Sequence, residues 1–149
     1  MASMSDDLRR GFGALLSQTA RQWRRAVDRG LQPFGLTEAT WLPLIHLHRT
    51  PEPMRQKQIA AVLNLDGSAV VRLLDTLQAA GLIDRREDSD RRAKAISLTP
   101  AGESIVARTE AAARQVREGA LAGITDEELR IAARVLGHIS ATLTAETDA

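Results

Sequence analysis

The sequence predicts a mainly α-helical fold, with six helices and one small β-hairpin set between the fourth and fifth. Three observations predict it. Apolar residues recur at i, i+3 and i+4 along most of the 149 residues. The segment from Gln56 to Ala80 reads as a short helix, a turn and a second helix. The segment that follows, to Leu98, changes to an alternating pattern on either side of a charged turn.

The first helix is expected from residue 7 to about residue 30, where Leu8, Phe12, Leu15, Leu16, Thr19, Trp23 and Val27 share a face. Gly30 and Pro33 are its expected stop. Thr37 is a good N-cap for the next helix, Glu38 suits the positive helix end, and Leu36 can staple against Trp41. That helix runs toward Arg49 and stops at the Thr-Pro-Glu-Pro of residues 50–53. A third helix begins near Arg55 and turns at Asn64-Leu65. Asp66 or Ser68 caps the fourth, which runs to Ala80 and is closed by Gly81. Its inward stripe is Val70, Leu73, Leu74 and Leu77. Ser68, Ala69, Val71, Arg72 and Asp75 or Thr76 stay outside.

Leu82–Arg86 and Lys94–Leu98 read as two antiparallel strands joined by Glu87–Ala93. Thr99-Pro100 opens a fifth helix, cap then first-turn proline, expected to reach Ala122. Thr125 and Glu128 form a capping box for the sixth, with Ile124 placed to staple against Leu129. The first, fifth and sixth helices carry more apolar positions than peripheral helices need. Packing two copies together would bury them.

Composition limits the function. No Cys is present, which excludes disulfides and thiolate zinc sites and fits a reducing, cytoplasmic setting. No apolar run reaches membrane-spanning length, so no membrane partner is expected. Net charge is only +1. Residues 1–30 carry six Arg against three Asp, whereas residues 101–149 carry five Arg against eight acidic groups. A basic front and an acidic back fit a duplex on one side. His46 and His48 are two apart, about 200° around a helix, so no metal site is expected. No phosphate loop, serine elbow or catalytic His/Glu spacing points to an enzyme, and no cofactor is required.

Two constellations carry binding chemistry. Small residues at the start of the fourth helix let its backbone approach a groove floor. Ser68 suits a phosphate or base edge, Arg72 a guanine or phosphate, and Val71 a thymine methyl. At the hairpin, Asp90-Arg91-Arg92 forms the tip, with Lys94 beyond it and Arg85-Arg86 at the base. Arginines at a turn suit the negative potential of a narrow minor groove, and Asp90 can hold Arg92 in one pose.

The run from Gly67 to Gly102, with Gly81-Leu82-Ile83, Arg85, Asp90-Arg91-Arg92 and Leu98-Thr99, resembles the winged helix-turn-helix of the MarR family of bacterial transcription regulators. Leu36-Thr37 with Trp41, and the stretch Leu121–Leu129, look closest to its SlyA-like branch. The likeness spans nearly the whole chain. It implies a single domain over residues 1–149, with 36–99 as the winged lobe and 5–30 and 100–146 as dimerisation helices. It also implies a homodimer on double-stranded DNA at a pseudo-palindromic operator, acting as a repressor. The reading helix would carry Ser68, Ala69, Val71 and Arg72, and the wing tip Asp90 and Arg92. Val71 departs from the Ser or Thr of many members, which favours an apolar base contact there. The family further implies a small aromatic anionic or phenolic effector. Trp41, Leu44 and His48, with Arg21, Trp23 and Arg24, are the residues expected to line its cleft. The alternatives from other classes are a winged module that docks a protein and a nonspecific architectural DNA binder. Near-neutral charge argues against the latter.

Overall fold

The computed structural model describes residues 3–87 and 94–148. Asp90, Arg91 and Arg92 of the expected wing tip therefore lie outside the described residues. Along the chain come α1 (Met4–Leu31), a 3-10 turn (Gln32–Phe34), α2 (Glu38–Arg49), β1 (Met54–Arg55) and α3 (Gln56–Leu63). Then follow α4 (Gly67–Ala79), β2 (Ile83–Glu87), β3 (Lys94–Leu98), α5 (Pro100–Ala120) and α6 (Asp126–Thr147). The predicted mainly helical architecture with six helices holds among these residues.

The chain divides into two compact units, Met1–Val116 and Arg117–Ala149, with the boundary inside α5. The first unit holds the core. Leu31, Leu44, Ile59, Leu74, Leu77, Ile83, Ile96 and Val106 are buried and draw on α1, α2, α3, α4, the sheet and α5. Each such Leu or Ile contributes about 1.5–3 kcal/mol by leaving water. In the second unit α6 buries no side chain.

Local chemistry explains most boundaries. Ser3 forms a capping box with Asp6, so α1 begins earlier than its apolar period does. The helix ends at Leu31, within one residue of the stop expected at Gly30 and Pro33, and the chain turns at Gly35, whose φ of 70° is left-handed. Thr37 and Thr40 cap α2 reciprocally, the Thr37 N–H donating to Thr40 Oγ1 at 2.9 Å. Pro43 lies buried within α2, and the helix runs through it at the loss of one backbone bond. Asn64 takes the left-handed conformation, φ 53°, between α3 and α4, and the Leu65 N–H donates to the Ala60 carbonyl at 2.9 Å. Thr125 and Glu128 form the expected box at the start of α6.

The wing corrects the two-strand expectation. Met54 and Arg55 pair antiparallel with Ile96 and Ala95, so the sheet has three strands in the order β1-β3-β2. The stop expected at residues 50–53 thus leads into a strand. Between β2 and β3 the register sets Ile83 opposite Leu98 and Arg85 opposite Ile96. Leu82 lies before the strand, and its carbonyl accepts from the Thr99 N–H at 3.1 Å. Thr99 Oγ1 donates to the Gly81 carbonyl at 2.6 Å and accepts from the Gly102 N–H at 3.0 Å. One threonine therefore ties the end of α4, the base of the wing and the start of α5 together.

Candidate nucleic-acid interface

The start of α4 is fixed by Asp66. Its Oδ1 accepts from the Ala69 N–H and from the Ser68 hydroxyl, each at 2.8 Å. The bond from the Ala69 amide, then that from Ser68, holds the Asp66 carboxyl below its ordinary pKa, with the Arg72 charge adding a little. Of the two expected caps, Asp66 is the one used. The Ser68 proton is committed to it, so Ser68 presents lone pairs outward. Val70, Leu74 and Leu77 anchor the opposite face in the core, and Leu73 is half-buried. Ser68, Val71 and Arg72 are exposed, and Ala69 is partly covered. Thr76 turns its hydroxyl back to the Arg72 carbonyl at 3.0 Å. The reading face among the described residues is thus narrow, running through Ser68, Val71 and Arg72.

On the wing, the basic residues differ in direction. Lys94 and Arg86 are exposed, and Arg86 sits 3.8 Å from Asp84 on its own strand. Arg85 turns the other way, to the side on which Ile83 enters the core. Its side chain is 14% exposed and its Nη2 donates to Asp75 Oδ1 at 2.6 Å. Its Nε is buried with no hydrogen-bond partner among the described residues. Arg85, expected at the wing base among the DNA-contacting residues, thus has its guanidinium engaged with Asp75 within the lobe. The sequence signal for this was Asp75 on the outer face of the reading helix, facing the wing base.

The six residues expected around an effector differ in burial and in partners. Leu44 is fully buried in the core. His48 Nδ1 lies 2.8 Å from Glu103 Oε2, joining the end of α2 to the first turn of α5 at the surface. Arg21 and Trp23 are exposed on α1, and Arg24 Nε is 3.9 Å from Glu38 Oε1. Trp41 is half-buried, with Nε1 donating to Thr109 Oγ1 at 3.0 Å. Thr109 is fully buried and donates in turn to the Val106 carbonyl at 3.0 Å. A buried threonine on an otherwise apolar stripe of α5 was the missed signal for this α2–α5 link. Among the described residues, no group of three or more His, Cys, Asp or Glu gathers to hold a metal, and no helix is long and apolar enough to cross a membrane.

Glu38 belongs to the α1–α2 junction. Its N–H donates to Asp28 Oδ1 at 2.7 Å. Burial raises its carboxyl above the ordinary 4.5, Arg24 opposes the rise and Asp28 adds to it. The folded state then holds this proton more tightly than the unfolded chain does. Stability from this group is present below 4.5 and declines as pH rises through the raised value. Glu38→Gln should therefore gain on the wild type as pH increases above that point. Urea midpoints between pH 4 and pH 7 check the sign, and parallel curves would contradict it.

α4 is anchored by its inner face and is followed by the sheet wing. A family model described as the MarR family matches residues 34–93. The crystal structure of the transcriptional regulator PA3341 is similar at 41% identity and a TM-score of 0.81, covering 90% of this chain and 98% of that one. This chain belongs to the MarR family. Another MarR-family regulator, from Rhodococcus sp. RHA1, is similar at 29% identity and a TM-score of 0.80, covering 93% and 96%. CouR from Rhodococcus jostii RHA1, crystallised with p-coumaroyl-CoA, is similar at 28% identity and 0.79, covering 93% and 95%. The MarR winged helix comprises α3, α4 and the three-stranded sheet here, and the protein is a transcription regulator of that family.

Proposed function

We propose that the protein is a cytoplasmic repressor that binds a pseudo-palindromic operator as a homodimer. Each copy lays α4 in a major groove and reaches the adjoining minor groove with the Asp90–Arg92 tip. The observation that carries this is the asymmetry of α4: one face locked in the core, the other offering Ser68, Val71 and Arg72 to solvent. A helix held so rigidly presents base-reading groups in one pose. Pairing of two copies is supported by the apolar side chains left exposed on α1 (Leu8, Phe12, Leu15) and, separately, on α6 (Leu129, Ile131, Leu136). A small aromatic anion or phenol releases the DNA. Support for that class comes from the relative crystallised with p-coumaroyl-CoA, whose acyl group is phenolic.

Selection of bound fragments from random DNA tests this reading. Two inverted half-sites about one helical turn apart are expected. Arg72→Ala should weaken binding to the selected site by about 1–3 kcal/mol and relax the preference at one position in each half. Equal affinity for selected and scrambled DNA would discard the reading in favour of a winged module that docks a protein.

A further inference from the structure

We infer that Arg85 is a positioning residue: through Asp75 it sets the wing's angle on the reading helix, and it does not itself touch DNA. Arg85 is the middle residue of β2, and Asp75 lies on α4 ten residues earlier. Their 2.6 Å bond spans the two elements that must meet one duplex together. The guanidinium is withdrawn from solvent, whereas the Asp75 side chain is 62% exposed. Withdrawing a guanidinium from water is costly, and here its Nε has no partner among the described residues. An apolar side chain of similar volume would fill the space at little or no loss of stability. What an apolar group lacks is direction. A planar guanidinium bonded to a fixed carboxylate holds the middle of β2 to one side of α4. Lys94 and Arg86, on the same sheet, then project from a base whose tilt is set.

The inference rests on the preceding reading, in which α4 and the wing contact one duplex, and its sign opposes simple electrostatics. Asp75 is an exposed anion on the DNA-binding lobe. Coulomb repulsion alone predicts that deleting it tightens DNA binding. A clamp predicts the reverse.

The test uses the full-length chain and its selected operator. Affinity is measured across a salt series for the wild type, Asp75→Ala and Arg85→Met. Both variants should bind roughly tenfold more weakly, although they change net charge in opposite directions. The slope of log affinity against log salt should become shallower by about one for each phosphate contact the wing loses. Thermal unfolding of Asp75→Ala within a few degrees of wild type separates lost positioning from lost folding. If Arg85→Met fails to fold, Asp75→Ala carries the test alone, because its side chain is exposed and alanine favours the helix. Asp75→Ala binding as tightly as wild type or more so, with an unchanged slope, overturns the clamp. A wild-type chain with no preference among DNA fragments overturns the operator reading itself, and the clamp with it.

Discussion

Gly102→Ala should destabilise the winged lobe by about 2–3 kcal/mol, lowering its thermal midpoint by roughly 5–10 °C. The reason is the junction beneath the wing. A Cβ built on Gly102 collides with the carbonyl oxygen of Leu82 and comes within 3.1 Å of Leu98 Cδ2. The carbonyl cannot yield freely, because it accepts from the Thr99 N–H, and Thr99 is bonded to Gly81 and Gly102 in turn. Relief requires α5 to lift from the wing base or the hairpin to peel from α5. Gly119→Ala is the matched control. It lies on the same helix with nothing within 4 Å of its would-be Cβ. That change should be neutral or stabilise by about 0.5–1 kcal/mol, because alanine restricts the unfolded chain and favours helix. Calorimetry or urea titration of the two variants separates these signs. A Gly102→Ala protein as stable as the wild type would mean that α5 does not sit against Leu82.

Such close approaches are not legible in a sequence, whereas capping chemistry is. Thr37 and the Thr125–Glu128 box announce themselves because each cap bonds within three residues, and the α4 cap narrows to Asp66 or Ser68 for the same reason. The inner stripe of α4 was legible for the same reason: period and neighbours are local. β1 was not, because two residues carry no alternation and their pairing with Ile96 and Ala95 is set forty residues away. Gly30 near the end of α1 is legible as a helix-stop signal, but not that its small size lets α1 pass close to Val116. At Arg85 the sequence shows a charge but not the side of the strand it takes. Alternation sets Arg85 on the side of Ile83, but the ion pair with Asp75 depends on how β2 lies across α4, which the strand's own pattern does not encode. For the effector residues, helical spacing placed Trp41, Leu44 and His48 together. Burial, which spacing does not encode, differs along that face: Leu44 is core, Trp41 packs at its edge, and His48 lies at the surface beside Glu103.

Leu15→Glu should convert a two-chain particle into a single chain and weaken operator binding by about 10²–10⁴-fold. The argument begins with exposure. Leu15 is 60% exposed and Leu8 64%, and Phe12 between them is also open to solvent, one to two helical turns apart along α1. Removing such side chains from water contributes about 25 cal/mol per Å² of apolar surface, and among the described residues Leu8 and Leu15 keep most of theirs exposed. In the proposed homodimer a second copy presenting the same face would cover it by two-fold symmetry, each residue meeting its counterpart's surroundings. A carboxylate at Leu15 adds a charge that a dry interface cannot solvate, while in the lone chain it sits harmlessly at the surface. The variant should therefore fold with unchanged helical circular dichroism and sediment as one chain. Its two half-sites would then be bound by separate molecules, and the advantage of holding both reading helices on one particle disappears. The predicted order is loss of pairing first and loss of affinity as its consequence. Restoring proximity by joining two variant chains through a flexible linker should recover part of the affinity without restoring the native pairing. A Leu15→Glu protein that still sediments as two chains, or a single-chain one that binds the operator as the wild type does, would detach the exposed face of α1 from DNA recognition.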